Sequence, residues 1–119
     1  MAPANQVDPG EDNTAVANQV RDFASGDWQV SNGKEGEFVK RWIEFLEWTR
    51  ELSPGFIRAL LIQDLKDPAH YVSLSDWKDV DSRSAWQSNP VFPEKFGACK
   101  ALCDDIHSGS FQLAASIEA

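Results

Sequence analysis

The segment Phe56–Asp64 (FIRALLIQD) is apolar on both of its alternating faces, and this feature constrains the fold most strongly. A β-strand with this pattern needs cover on both sides. Helices on one face of a small sheet leave the other face bare, and a second subunit is the most economical cover for it. The segment therefore predicts a central strand in a sheet with helices on one face and another copy of the chain on the other.

The rest of the chain alternates between strand and helix patterns. Alternating residues in Tyr71–Trp77 (YVSLSDW) predict a second strand, joined to the first by a turn at Asp67-Pro68. Apolar residues at helical spacing predict a long helix over Lys34–Leu52. The other predicted elements are a strand over Gly26–Ser31, a helix from Asp79 to Ser88, a second helix to about Ile106, and a strand over Phe111–Ile117. This order is typical of a ferredoxin-like α+β sandwich with an antiparallel sheet.

The length of 119 residues is sufficient for one domain. Residues 1–14 predict a disordered leader, because they carry prolines and acidic residues without one basic or aromatic residue. The single domain would then span residues 15–119. Within it, residues 15–25 remain unassigned, since their apolar side chains could dock on a neighbouring surface.

The formal net charge of −8 argues against two classes of partner. A strongly acidic chain is repelled by the phosphates of nucleic acids and by anionic membrane surfaces. No apolar run approaches the roughly 18 to 20 residues of a membrane span, and the N-terminus lacks the basic start and apolar stretch of a signal peptide. We therefore expect a cytoplasmic protein that binds neither nucleic acid nor membrane.

Catalytic and metal-binding motifs are largely missing from the sequence. It contains no Gly-x-Gly-x-x-Gly, no phosphate-binding loop, no Gly-x-Ser-x-Gly and no His-Glu-x-x-His, which weakens nucleotide-dependent and hydrolytic functions. Cys99, Cys103 and His107 are of metal-ligand type and are spaced by four on a predicted helix. Both cysteines fall in the apolar stripe of that helix, where reduced thiols pack as small apolar groups, and no fourth ligand is apparent. We therefore expect no metal.

Five tryptophans in 119 residues are the most informative side chains. Aromatic surface with few polar groups suits a pocket for an apolar ring system, and it equally suits a small core or a dimer interface. Trp77 stands out because it ends a strand on the face that also carries Tyr71, Ser73 and Ser75. Its indole N–H could donate to a ligand oxygen there, which makes Trp77 the leading site candidate.

The sequence resembles one known family over most of residues 26–117. The segment GFIRALLIQDLKDPAHYVSLSDWKDVDSRSAWQSNPVF (55–92) and the preceding helix GKEGEFVKRWIEFLEWTRE are similar to the antibiotic biosynthesis monooxygenase domain. The resemblance implies a ferredoxin-like protomer whose sheets pair face to face into a dimeric α+β barrel. This agrees with the two-sided apolar strand.

The resemblance also implies chemistry of two kinds. Cofactor-free members oxidise electron-rich polycyclic phenols to quinones with dioxygen, and they use a tryptophan matching Trp77, often with an asparagine four residues earlier, where this chain has Ser73. Haem-degrading members use an axial histidine, and this chain has Phe96 at the matching position. The resemblance therefore favours cofactor-free oxidation and disfavours haem degradation.

We hypothesise a homodimeric, cofactor-independent monooxygenase that oxidises an apolar aromatic substrate, phenolic or polyketide-like, between helix 34–52 and the inner face of the sheet. Trp77, Ser73 and Tyr71 are its predicted catalytic donors. The predicted substrate-binding residues are Trp28, Phe38, Trp42, Trp86 and, if its strand face points inward, Arg58. The alternative is a non-catalytic small-molecule-binding or structural dimer of the same fold. In a structural dimer, the tryptophans would fill the interior and leave no room for a ring system.

Overall fold

A computed structural model describes residues 21–119. Four strands and three helices follow one another in the order βαββααβ. In chain order they are β1 (Asp22–Val30), α1 (Glu35–Leu52), β2 (Phe56–Gln63), β3 (His70–Trp77), α2 (Val80–Gln87), α3 (Phe92–Lys100) and β4 (Cys103–Gln112). The predicted fold class is confirmed: the chain is an α+β domain of the ferredoxin-like type.

Local sequence signals explain how several elements begin and end. The turn between β1 and α1 contains Gly33 at a φ of 87°, a left-handed conformation that favours glycine. Asp79 caps α2, because its carboxylate accepts a hydrogen bond from the backbone N–H of Ser82 at 2.8 Å. In the loop after α1, the Ser53 N–H still bonds to the Thr49 carbonyl, and Pro54 then ends the helix.

The four strands form one antiparallel sheet in the order β2-β3-β1-β4. We call the face that carries the three helices the inner face and the opposite face the outer face. Cross-strand register places Trp28 beside Tyr71 and Asp22 beside Trp77, so alternate residues of β1 and β3 share the inner face. The core lies between this face and the helices. Its buried apolar residues are Trp28, Val30, Phe38, Trp42, Phe45, Leu46, Tyr71, Trp77, Trp86 and Cys99.

The end of the chain differs from the sequence prediction. The helix predicted to reach Ile106 ends at Lys100, and the strand predicted over Phe111–Ile117 instead spans Cys103–Gln112. Ile106 fits the spacing of the helical stripe, yet it pairs with Trp28 as a strand residue of β4. Cys103 and His107 therefore do not share a helix face with Cys99, because both lie on β4.

Two strand predictions also need correction. β1 begins at Asp22 rather than at Gly26, so part of the unassigned segment 15–25 is strand, and residues 15–20 lie outside the described range. The predicted central strand, β2, is an edge strand of the sheet. Its apolar residues nevertheless lie on both faces of the sheet, since Leu61 packs against the core while Leu60 and Ile62 are exposed on the outer face.

The outer face combines apolar and charged areas. Leu60, Ile62, Leu74 and Phe111 expose 39–62% of their surface there. Elsewhere on this face, the imidazole of His70 lies between two carboxylates. Other described residues leave the apolar area uncovered, so it is available to a partner.

Candidate functional site

A cavity of about 390 Å³ lies between the inner face of the sheet and the three helices. This volume falls within the range of small-molecule binding pockets in proteins. The walls are mainly aromatic and apolar side chains from one strand and all three helices: Trp28, Trp42, Phe45, Leu46, Trp86, Phe92 and Phe96. The interior is therefore open enough to admit a planar ring system, in contrast to the filled interior that the structural alternative requires.

The floor of the cavity consists of small residues on three adjacent strands. Ser73 of β3, Gly26 of β1 and Ser108 of β4 form one row, because Gly26 pairs with both serines. Ser75, Ala24 and Ser110 form the next row in the same way. Gly26 makes room for the indole of Trp28 and the hydroxyl of Ser73, since a Cβ there would lie 2.5 Å from the Nε1 and 2.7 Å from the Oγ. Serine hydroxyls on β3 and β4 thus flank the part of the floor that the Trp28 indole covers.

Two buried indoles donate hydrogen bonds to the serines of β3. The Nε1 of Trp28 lies 2.9 Å from the Oγ of Ser73, and the Nε1 of Trp77 lies 2.9 Å from the Oγ of Ser75. Each hydroxyl accepts a bond from an indole, which has only a donor to offer, so each serine keeps its own proton to donate. Ser75 has one weak alternative acceptor, the Ala24 carbonyl at 3.5 Å. We call these the indole–serine pairs.

The spacing of the two indole–serine pairs follows from the strand. Ser73 and Ser75 are two residues apart on β3 and face the same side. At about 3.3 Å per residue, their Cα atoms lie roughly 6.6 Å apart along the strand. A hydroxyl that accepts a hydrogen bond becomes a better donor, because the two bonds polarise each other. The floor therefore presents two strengthened donors to oxygen atoms on one edge of a ligand.

The described residues that line this cavity carry no titratable side chain. Its polar side-chain groups are serine hydroxyls, indole N–H groups and the amide of Gln87 at the C-terminal end of α2. The cavity thus offers hydrogen-bond donors without a fixed charge and without a general base. A neutral ligand, or one that ionises by itself, fits this environment better than a strong cation.

The predicted substrate-binding residues separate into two groups. Trp28, Trp42 and Trp86 line the cavity. Phe38 packs in the core behind it, with its ring centroid 5.1 Å from that of Trp28. Arg58 lies on the outer face beside Asp76, with 65% of its side chain exposed, so the inward orientation on which its predicted role depended is not present.

Of the three predicted catalytic residues, some line the cavity and others are buried behind its lining. Ser73 lines the cavity. Trp77 is fully buried behind Ser75 and contacts the ring of Trp86 at a centroid distance of 4.8 Å. Its indole N–H reaches the cavity only through the Ser75 hydroxyl. Tyr71 is buried beside Phe38 and accepts a hydrogen bond from Gln63 at 3.0 Å, and burial raises the pKa of its phenol.

Sequence analysis missed several polar or small contributors to this cavity. Gly26, Ser108, Ser110 and Gln87 carry no motif and lie on three different elements. Ser75 was recognised as facing the same side as Trp77, and it is Ser75 that reaches the cavity. Only the cross-strand register of β1 with β4 brings Ser108 and Ser110 to the floor, so a local pattern could not identify them.

The histidines and cysteines of the described range lie apart from the cavity lining. On the outer face, His70 contacts Asp64 at 2.9 Å and Asp27 at 2.7 Å, and these hydrogen bonds raise its pKa. Cys99 and Cys103 are free thiols, and burial raises their pKa values to about 12 and about 11. Residues 21–119 contain no cluster of three or more side chains arranged to hold a metal ion.

Membrane insertion of the helices finds no support in the described residues. No helix within residues 21–119 has both the length and the apolar composition that crossing a membrane requires.

Comparison with known proteins identifies the family to which the chain belongs. Residues 23–95 match the family described as antibiotic biosynthesis monooxygenase, and this match covers more than half of the chain. The chain therefore belongs to the antibiotic biosynthesis monooxygenase family, as the resemblance of residues 55–92 predicted. No curated protein matches this chain in sequence.

Solved structures with the same fold include two from bacteria. SnoaB, a cofactor-independent oxygenase from Streptomyces nogalater, superposes with a TM-score of 0.76 at 21% identity, over 84% of this chain and 99% of that one. A putative antibiotic biosynthesis monooxygenase from Deinococcus radiodurans superposes with a TM-score of 0.71 at 17% identity, over 82% and 97%. At these identities the likeness shows the fold alone.

Proposed function

We propose that this protein is a cofactor-independent monooxygenase that oxidises an apolar aromatic substrate, phenolic or polyketide-like, with dioxygen. The observation that carries the proposal is the open cavity of about 390 Å³ with aromatic walls and two indole–serine pairs in its floor. Membership of the antibiotic biosynthesis monooxygenase family and the shared fold with SnoaB, a cofactor-independent oxygenase, support the same reaction class.

In the proposed reaction, the substrate itself supplies the electrons. An anthrone-like substrate loses a proton from its ring CH₂ group, and the resulting carbanion is conjugated with the ring oxygen. The carbanion transfers electrons to dioxygen and forms a carbon–oxygen bond, which gives a hydroperoxide after protonation. Loss of water then leaves a carbonyl, so one CH₂ group and one O₂ become one C=O group and one H₂O.

Ser73 and Ser75 would stabilise the charge that develops on the substrate oxygen. Preoriented hydrogen-bond donors in a site that excludes water are the strongest means of stabilising an oxyanion without a fixed charge. Trp77 acts here as a positioning residue, because it holds Ser75 rather than contacting the substrate. Trp28 has two roles, since its ring lines the cavity and its N–H holds Ser73.

No cofactor is part of this proposal. Haem degradation in the family uses an axial histidine, and His70 and His107, the two histidines of the chain, both lie on the outer face of the sheet. Phe96, at the position that the resemblance matches to that histidine, lines the cavity. The free thiols Cys99 and Cys103 support the proposal that the protein acts in the reducing cytoplasm.

The activity can be tested with dithranol, a dihydroxyanthrone, by following oxygen uptake and the absorbance of the quinone product. Ser73→Ala and Ser75→Ala each remove one donor, and we expect kcat to fall about a hundredfold to a thousandfold. Ser84→Ala is the matched control, because Ser84 is an exposed serine of α2 that does not line the cavity.

Three results would separate the hypotheses. Oxygen uptake that depends on Ser73 and Ser75 supports catalysis. Binding of the probe without oxygen uptake supports the alternative, a non-catalytic small-molecule-binding protein of the same fold. Oxygen uptake that is unchanged in both serine variants contradicts the proposed donor role.

We also propose that the chain forms a homodimer through its outer sheet face. The exposed apolar residues Leu60, Ile62 and Leu74 support this, because a second copy would bury them. Light scattering after size exclusion should give twice the 13.3 kDa mass of the chain. Ile62→Lys should produce monomers, whereas Leu65→Lys, a matched change at a fully exposed turn residue, should not. A monomeric wild-type protein would contradict the proposal.

A further inference from the structure

Gln87 is an amide side chain at the cavity that the reaction proposed above does not use. It is the last residue of α2 and is exposed at the cavity rim. Its Oε1 accepts a hydrogen bond from the Nη1 of Arg83 at 2.9 Å. The Nε of Arg83 in turn donates to the carboxylate of Asp22, which is buried at the start of β1. A chain of polar contacts thus connects Gln87 to the sheet.

This chain of contacts determines which end of the amide is free. Arginine has only donors, so Arg83 must face the carbonyl oxygen of Gln87 rather than its nitrogen. The Nε2 of Gln87, with two N–H donors, has no hydrogen-bond partner among residues 21–119. Because Arg83 is itself bonded to Asp22, its contact with Oε1 favours one orientation of the Gln87 amide.

We propose that Gln87 donates a hydrogen bond from Nε2 to a further oxygen of the ligand, on a different edge from the one that faces Ser73 and Ser75. This rests on the proposed function, since it assumes an aromatic ligand on the cavity floor. Gln87 is then a specificity-determining residue, and Arg83 and Asp22 are positioning residues. The ligand class narrows to planar aromatics that carry oxygen acceptors on two edges.

Because the Gln87 amide is an uncharged donor, it determines which ligand groups can bind at the rim of the cavity. An amide N–H binds a carbonyl or phenolic oxygen, whereas a cation in the same place would select carboxylates. A ligand without this further oxygen leaves the exposed amide to water, so the discrimination it provides is moderate. One hydrogen bond of this kind corresponds to about fivefold in affinity.

Anthraquinone and anthrone provide a matched pair of probes. Anthraquinone has carbonyl oxygens on opposite edges of its central ring, and anthrone has only one. Their dissociation constants can be measured under anaerobic conditions from the quenching of tryptophan fluorescence, since Trp28, Trp42 and Trp86 line the cavity. We expect wild-type protein to bind anthraquinone about fivefold more tightly than anthrone.

Two substitutions separate a donor from a structural role. Gln87→Met removes both the contact to Arg83 and the free donor. Gln87→Glu keeps an acceptor for Arg83 and removes the donor. If Gln87 donates to the ligand, both variants lose the preference for anthraquinone, while Ser84→Ala keeps it. Nitrogen-15 spectra of the wild type should show the Gln87 side-chain NH₂ signal, assigned by its loss in Gln87→Met, shift on addition of anthraquinone only.

The outcomes against the proposal are distinct. If Gln87→Glu keeps the wild-type preference and Gln87→Met loses it, Gln87 acts only by holding Arg83, and the donor role is wrong. If wild-type protein binds both probes equally, the Gln87 proposal fails while the cavity keeps its proposed ligand class. If wild-type protein binds neither probe, both this proposal and the proposed function fail.

Discussion

Replacing Gly26 by alanine tests whether the floor of the cavity needs a residue without a side chain. A Cβ atom at this position would lie 2.5 Å from the Nε1 of Trp28 and 2.7 Å from the Oγ of Ser73. Both distances are well below van der Waals contact, so the indole, the hydroxyl or the strand must move. The two atoms are also the donor and acceptor of one indole–serine pair. The methyl group would therefore break that pair.

The expected loss of unfolding free energy in Gly26→Ala is the sum of two contributions. The indole cannot move freely, because it is buried between the rings of Phe38 and Phe96 at centroid distances of 5.1 and 5.6 Å. Overpacking of this kind costs about 1–3 kcal/mol. Leaving the buried N–H of Trp28 without an acceptor costs about 1–3 kcal/mol more. We therefore expect Gly26→Ala to lower the free energy of unfolding by about 3 kcal/mol, the lower part of the combined range.

Urea denaturation followed by tryptophan fluorescence measures this change, and a melting temperature lower by roughly 12 °C should accompany it. Gly97→Ala is the matched control, since a Cβ there meets no atom within 4 Å and Gly97 lies inside helix α3. Gly97→Ala should stabilise the protein by about 0.5–1 kcal/mol, because alanine favours a helix more than glycine does. A loss below about 0.5 kcal/mol for Gly26→Ala would show that Trp28 can shift without penalty, and would refute the reasoning.

Three further predictions concern other buried or paired groups. Thr49→Val should lower the free energy of unfolding by about 1–3 kcal/mol, measured in urea, because the Thr49 hydroxyl accepts the buried N–H of Trp86 at 2.8 Å. The pKa of His70 is raised in the folded protein, so its contribution to stability should be complete below about pH 6.5 and lost as the pH rises through the raised value. Melting temperatures across that window should fall in wild type and stay flatter in His70→Gln. Cys99 and Cys103 should react with Ellman's reagent at pH 8 only after denaturation, because their pKa values are raised to about 12 and about 11.

Periodicity of apolar residues correctly predicts which residues share a face in those elements whose pattern is contained in one segment of the sequence. The alternation of β3 correctly placed Ser73, Ser75 and Trp77 on one face, and the helical spacing of α1 correctly placed Trp42 against the sheet. β4 was missed because its sequence, CDDIHSGSFQ, is mostly polar and has a single large apolar residue facing inward. Its position depends on pairing with β1, which periodicity within β4 does not encode.

The orientation of Arg58 depended on an irregularity that the sequence does not reveal. Phe56 pairs with Trp77, and Arg58 pairs with Asp76, so the register shifts between these two residues of β2. Strict alternation would place residues 56 and 58 on one face. The shift lets the Phe56 ring contact Trp77 at 5.5 Å while Arg58 lies beside Asp76 on the outer face. Periodicity alone therefore could not settle the role of Arg58.

The serine at position 73 changes what the cavity floor can hold. The family resemblance leads us to expect an asparagine there, whose longer side chain would extend further above the sheet. Ser73 is shorter, and the indole of Trp28 compensates for its weaker donor by fixing the hydroxyl and polarising it. Gly26 makes room for this pair, because a Cβ there would overlap both the Trp28 Nε1 and the Ser73 Oγ. The same arrangement recurs at Ser75, whose hydroxyl accepts a hydrogen bond from the buried indole of Trp77 at 2.9 Å.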